Sequence, residues 1–221
     1  MKIEKVFVKN FKVFQNVEVK DIPNMAVFMG ENGVGKSTFF DVFGFLHDCL
    51  MINVTYAINK RGGFDEVISR EQSGQIKFEI KFRPNPNEPI VTYELEIGKD
   101  NGLPIIKKEV MKMRRGQHGK PYEFLSFSNG EGFAVTGNLK TIEDLQNANK
   151  RVPQKLSKPD ILAIKGHGQF EEFSVIAAFR KLIEDWHVSD FHINKARRLD
   201  ASPQVVRTKV GDQIFLLIGH P

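Results

Sequence analysis

The stretch Gly30-Glu-Asn-Gly-Val-Gly-Lys-Ser-Thr38 decides the fold, because Gly30, Gly35, Lys36 and Ser37 meet the G-x-x-x-x-G-K-[ST] spacing of a phosphate-binding loop. Its flanks agree. Met25-Ala-Val-Phe-Met29, bounded by Pro23-Asn24 and by Gly30, reads as a buried strand. Beyond the loop, Phe39, Val42, Phe43, Leu46, Cys49 and Leu50 recur at helical steps, with Asp41, Gly44, His47 and Asp48 on the other side. A strand, a glycine loop and a helix start are what a phosphate chain requires. Successive backbone N–H groups face one concavity, and the helix adds its unpaired N–H groups and positive dipole end. Gly33 and Gly35 allow positive φ and close approach. In this reading Glu31, Asn32 and Val34 complete the cradle, with Asn32 placed toward the γ-phosphate. Lys36 reaches the β- and γ-phosphates, Ser37 holds Mg²⁺, and Thr38 bonds the α-phosphate of ATP.

The remaining sequence bounds the class. A chain of 221 residues with 41% hydrophobic and 27% charged residues has ample material for a core. Its single cysteine, Cys49, rules out a disulfide framework and falls on the apolar side of the helix as filler. No apolar run nears the length of a membrane span, which leads to the expectation of a cytoplasmic chain. The net charge of +5 permits an anionic partner. Basic residues are densest from Lys107 to Lys120, and Lys112, Arg114 and Arg115 are the candidate DNA contacts. The competing reading is a strand through Ile105, Val110, Met111 and Met113 whose lysines protect a sheet edge.

Along the chain, Ile3–Val8, Val17–Val19 and Met25–Met29 are strand candidates. Ile76–Phe82 and Val91–Ile97 alternate as half-exposed strands. Asn101-Gly102 and Asn129-Gly130 are hairpin turns, so residues 75 to 136 read as an antiparallel insert. Ile161–Ile164 reads as a buried strand, Glu171–Trp186 as a helix, Val188–Ile193 and Gln213–Ile218 as strands, and residues 200 to 221 as a tail entered through the linker Asp200–Pro203.

Together, Met1-Lys-Ile and Val8-Lys-Asn-Phe-Lys-Val-Phe14, the loop Phe28-Met-Gly-Glu-Asn-Gly-Val-Gly-Lys-Ser-Thr-Phe-Phe40, the insert and the helix around Ala177–Trp186 resemble one family. This is the RecF/SMC-like branch of the ABC superclass, within it the AAA-type ATPases related to overcoming-lysogenization-defect nucleases. The resemblance covers nearly the whole chain. It implies an α/β P-loop NTPase with an ABC/SMC-head-like mixed sheet and an antiparallel β insert. It further implies that the turn at Asn10-Phe11-Lys12 approaches the nucleotide, which makes Lys12 a candidate contact. The glutamine that senses Mg²⁺ and the attacking water would be Gln169, the candidate catalytic and metal-sensing residue, with His167 in the same loop. Complete relatives carry an L-S-G-G-Q signature, a strand ending in Asp-Glu and a switch histidine, and pair two heads around two ATP molecules.

This sequence departs from that pattern. Ile161–Ile164 is followed by Lys165 and Ile214–Ile218 by Gly219-His220, so neither run ends in an acid. Leu125-Ser126 belongs to a hairpin, away from any helix N-terminus. The expectation is therefore an N-terminal lobe with the C-terminal lobe absent, which binds Mg·ATP and relies on self-dimerisation or a partner subunit for the second lobe. The alternative is a non-catalytic, nucleotide-responsive scaffold. A GTPase is disfavoured by the absence of Asn-Lys-x-Asp, and a small-molecule kinase by the antiparallel insert.

Overall fold

The computed structural model describes residues 1–31, 33–70, 72–114, 121–135, 151–170, 173–189, 204–210 and 213–219. The first sheet has eight strands in the order β2-β1-β4-β5-β6-β7-β8-β9. These are β1 (Lys2–Phe11), β2 (Phe14–Lys20), β4 (Ile76–Arg83), β5 (Val91–Asp100), β6 (Leu103–Arg114), β7 (Pro121–Ser128), β8 (Glu131–Val135) and β9 (Arg151–Lys155). Every pairing in it is antiparallel. The second sheet is mixed, with β3 (Met25–Gly30) parallel to β12 (Gln213–Gly219), which pairs antiparallel with β11 (Gln204–Val210) and through it with β10 (His187–Ser189).

The antiparallel region is wider than the sequence suggests. Val6 of β1 faces Ile80 of β4, so the expected insert continues the N-terminal hairpin as a single sheet. Both Asn-Gly turns form as expected: Asp100 faces Leu103 around Asn101-Gly102, and Ser128 faces Glu131 around Asn129-Gly130. All four turn residues have positive φ, the requirement of a type I′ connection that Asn and Gly meet at least cost. Leu125 and Ser126 lie within β7, as their hairpin reading requires.

Helix α1 (Lys36–Met51) lies between the sheets. Phe45 meets Phe11 and Phe78 of the large sheet at ring distances of 5.3 and 5.5 Å. On the opposite side Phe39 stacks on Phe28 of β3 at 4.6 Å and Phe40 packs edge-on at 5.7 Å. A third surface of α1 receives α5 (Ser174–Glu184), whose following Trp186 stacks flat on Phe43 at 3.5 Å. Cys49 is a buried free thiol, and burial pushes its pKa well up. Two shorter helices, α2 (Val54–Asn59) and α3 (Phe64–Val67), follow α1.

Two expectations are corrected. β3 is half-exposed, with Ala26 and Phe28 turned to the core while Met25, Val27 and Met29 are 58%, 46% and 65% exposed. A strand packed by a helix on one face buries alternate residues, however apolar its sequence. The run at 161–164 leads into α4 (Ala163–His167), with Ala163 and Ile164 as its first two residues, because a short apolar run does not distinguish strand from helix. What fixes α4 is remote in sequence: Glu109 of β6 accepts N–H bonds from Ala163 at 2.6 Å and Ile164 at 3.2 Å. Tyr93 of β5 donates its hydroxyl to the same carboxyl at 3.2 Å.

Glu109 is fully buried. Burial raises its pKa to about 7 from 4.5, even though the two N–H groups and Tyr93 favour the charged form. Between these values the folded chain holds a proton that the unfolded chain has released, so stability falls as pH rises through that window. The expected loss is on the order of 3 kcal/mol. In urea titrations from pH 4.5 to 7.5, Glu109→Gln should flatten this dependence. A wild type and variant with parallel profiles would refute the assignment.

Candidate functional site

The glycine loop leaves β3 at Gly30 and enters α1 at Lys36. Gly35 caps the helix with φ 98°, a left-handed value, and Phe39 N–H donates to its carbonyl at 3.0 Å. Gly35 is also a close approach. A Cβ there would overlap the Phe14 ring and sit 3.1 Å from Val13 Cγ2, so the β1–β2 turn packs directly on the loop. Among the described residues no side chain caps α1, and its first turn holds no acid. The N–H groups that begin this helix are thus free to meet an anion, with the dipole in favour.

Lys36 folds back over the loop, donating from Nζ to the carbonyls of Gly30 and Glu31, both at 2.6 Å. These carbonyls satisfy an ammonium that a phosphate chain would otherwise engage. Gly33 takes φ 89° and is open on its Cβ side, and Val34 and Ser37 are exposed while Thr38 is half-buried. Asn32 lies outside the described residues. Of the other expected positions, Gly30 ends β3, Gly35 caps α1, Lys36, Ser37 and Thr38 make its first turn, and Glu31, Gly33 and Val34 lie between.

Beside this loop lies an ion-pair network that sequence reasoning missed. Asp41 of α1 accepts a bidentate contact from Arg61, at 3.0 and 3.1 Å from Nε and 2.7 Å from Nη2. Arg61 also donates from Nη1 to Asp48 at 2.8 Å and to the Ala57 carbonyl at 3.0 Å, above the Phe45 ring. Its guanidinium lies beside Gly44, between the two acids. Burial opposes charge on Asp41, yet the bonds from Arg61 and Lys12 outweigh it and hold the carboxyl below its usual pKa. The same partnership raises Arg61 against its own burial. The available signal was the alignment of Ser37, Asp41 and Asp48 on one helix face. Sequence alone did not show which cation would meet them.

Lys12 is brought to this site. The β1–β2 turn is anchored by Lys12 N–H to Val67 O at 2.7 Å and by Ser69 Oγ donating to Phe14 O at 2.9 Å. Lys12 Nζ then reaches Asp41 Oδ2 at 2.6 Å.

Gln169 is not brought to the loop. It is exposed and donates to Lys165 O at 3.1 Å, while Lys165 Nζ holds the Met51 and Ile52 carbonyls at the far end of α1. The 16 residues of α1 span about 24 Å at 1.5 Å per residue, so the expected catalytic and metal-sensing glutamine sits at the opposite end of the helix. His167 is tied between the Ala163 carbonyl at 2.8 Å and Gln154 Oε1 at 2.5 Å, a bridge from α4 to β9.

Two lysines of the basic run are paired on the sheet face. Lys108 and Lys112 of β6 both pair with Glu94 of β5, and despite its burial these ammonium groups pull that carboxyl down to about 2. Because β6 lies between β5 and β7, its lysines do not guard a sheet edge. Arg114 is exposed, and Arg115 lies outside the described residues.

Comparison with known families agrees with this geometry: the family model for the AAA ATPase domain matches residues 1–190. The chain belongs to this family. Comparison with curated proteins gives no match. An AAA ATPase domain is a nucleotide-binding P-loop module, and the loop at 30–38, the helix it opens and the α/β framework are its parts here. The match spans the large sheet, α1 to α5 and β10; β11 and β12 lie beyond it. Among the described residues, no helix is long and apolar enough to cross a membrane.

Gly35→Ala forces a side chain into both a left-handed φ and the Phe14 ring. It should lower stability by more than about 1 kcal/mol in urea unfolding. A variant as stable as wild type would show that the turn does not pack on the loop.

Proposed function

We propose that this AAA ATPase domain binds Mg·ATP through its glycine loop, as a member of the RecF/SMC-like branch. The supporting observation is the N-terminus of α1 behind Gly33 and Gly35, which among the described residues no side chain caps, with the Lys36 ammonium held by two carbonyls of its own loop. Backbone N–H groups from the loop and first turn would receive the phosphate oxygens, and Lys36 would exchange its two carbonyls for the β- and γ-phosphates. Thr38 would receive the α-phosphate. Ser37, exposed on the first turn, would hold Mg²⁺ through its hydroxyl. Among the described residues there is no cluster of three or more acidic, histidine or cysteine side chains poised for a metal, which suits an ion carried chiefly by phosphate oxygens and water.

Binding and turnover separate in this reading. β12 lies parallel to β3 with Ile218 level with Met29 and Gly219 level with Gly30, so the strand end beside the loop carries glycine where hydrolysis calls for an acid. A general base contributes about 10²- to 10⁴-fold to such a step. We infer that an acidic base and a signature element come from a further lobe, supplied by a second copy or a partner subunit. Lys112, committed to Glu94, gives no support to DNA docking through the β6 lysines.

Lys36→Ala should abolish ATP binding in a titration that wild type saturates, and equal affinity for the two proteins would overturn the proposal. Ser37→Ala should weaken binding about ten-fold in Mg²⁺ and leave it unchanged in EDTA. Equal loss in both conditions would remove Ser37 as the metal ligand.

A further inference from the structure

The cations beside the loop are held unequally. Arg61 is 9% exposed at its side chain, bonded to Asp41, Asp48 and the Ala57 carbonyl, and is thereby fixed. Lys12 is 33% exposed, and its ammonium is held by Asp41. Both cations border one cleft of about 810 Å³, where Val13 links it to the glycine loop through its packing on Gly35.

Position makes this asymmetry useful. Asp41 follows Ser37 by four residues in α1, so the two share a face one turn apart. The Lys12–Asp41 pair therefore stands one helical turn beyond the Ser37 hydroxyl. Phosphate offers the ammonium a charge-assisted bond stronger than a half-exposed ion pair, and Lys12 has a flexible stem with which to move. Asp41 would not be stranded by this exchange, because its bidentate contact with Arg61 persists.

We propose that Asp41 is a positioning residue: it holds the Lys12 ammonium one turn from Ser37 and yields it to the terminal phosphate of a bound nucleoside triphosphate, remaining paired with Arg61. This rests on the glycine loop binding nucleotide. A triphosphate would engage Lys12 and a diphosphate would not, so the Lys12–Asp41 pair discriminates the two states of the ligand. Asp41 competes for Lys12 and lowers triphosphate affinity, so the empty and diphosphate-bound forms retain a closed ion pair.

The experiment is calorimetric titration of the full chain with Mg²⁺ and either a non-hydrolysable ATP analogue or ADP. Lys12→Ala is expected to weaken the triphosphate about five- to ten-fold and leave ADP unchanged. Asp41→Asn, which keeps an oxygen for Arg61, is expected to tighten the triphosphate about three-fold, with no such gain in the Lys12→Ala background. Thermal unfolding of each variant checks that the fold survives. Equal loss of both nucleotides in Asp41→Asn, or a gain that persists without Lys12, would make Asp41 merely structural and overturn the proposal. So would Lys12→Ala binding both nucleotides as wild type does. Failure of the underlying reading has a different signature: wild type and Lys36→Ala would bind neither nucleotide.

Discussion

The structure depends on the burial of α1 along nearly its whole length between two sheets. A helix confined in this way must be apolar around most of its circumference, and its phenylalanines serve opposite faces: Phe45 toward Phe11 and Phe78, Phe39 and Phe40 toward Phe28. Confinement also dictates where its polar residues go. Asp48 is only 8% exposed, and its carboxylate is met by the Arg61 guanidinium and the Lys60 ammonium. With its sides occupied, α1 offers its first turn to a ligand. The family's phosphate loop is thus placed at the remaining accessible end of a core element, where a rigid helix fixes the direction of the N–H groups.

The same economy governs the large sheet. One face packs on the helices, and the other carries Lys5 with Glu18 and Glu79, Lys77 with Glu96, and Lys108 and Lys112 with Glu94. Each cation lies near a carboxylate on a neighbouring strand, so a basic sequence produces a nearly balanced surface there. Charge counted along a chain says little until strand pairing decides which charges meet.

Much of the site was legible because it is local. Gly30 to Thr38 specifies strand, turn and helix through residues a few positions apart, and Asn101-Gly102 and Asn129-Gly130 specify two hairpins in the same way. What stayed hidden is non-local. Glu109 capping α4, Arg61 bridging Asp41 and Asp48, and Lys12 reaching Asp41 all depend on side chains that only the completed fold brings together. The placement of Gln169 failed for the same reason, since its distance from the loop is set by Lys165 holding the far end of α1. The run at 161–164 was ambiguous because burial alone does not choose between a strand and a helical turn, and β3 was overestimated because its apolar residues include an outward-facing set.

The pairing of β1 with β4 has a kinetic meaning. The β5–β6 and β7–β8 hairpins close around two-residue turns and can form within microseconds, whereas Asn10 meets the Gln75 carbonyl 65 positions away. Everything between those residues, the phosphate loop and α1 included, is enclosed by that long-range closure, the slower kind of step because its entropy cost precedes its contacts. The loop is enclosed by that closure, whereas the two hairpins, which carry none of its chemistry, are closed locally. A ligand that recognises the finished loop acts on a folded chain, and slows its opening rather than guiding its formation.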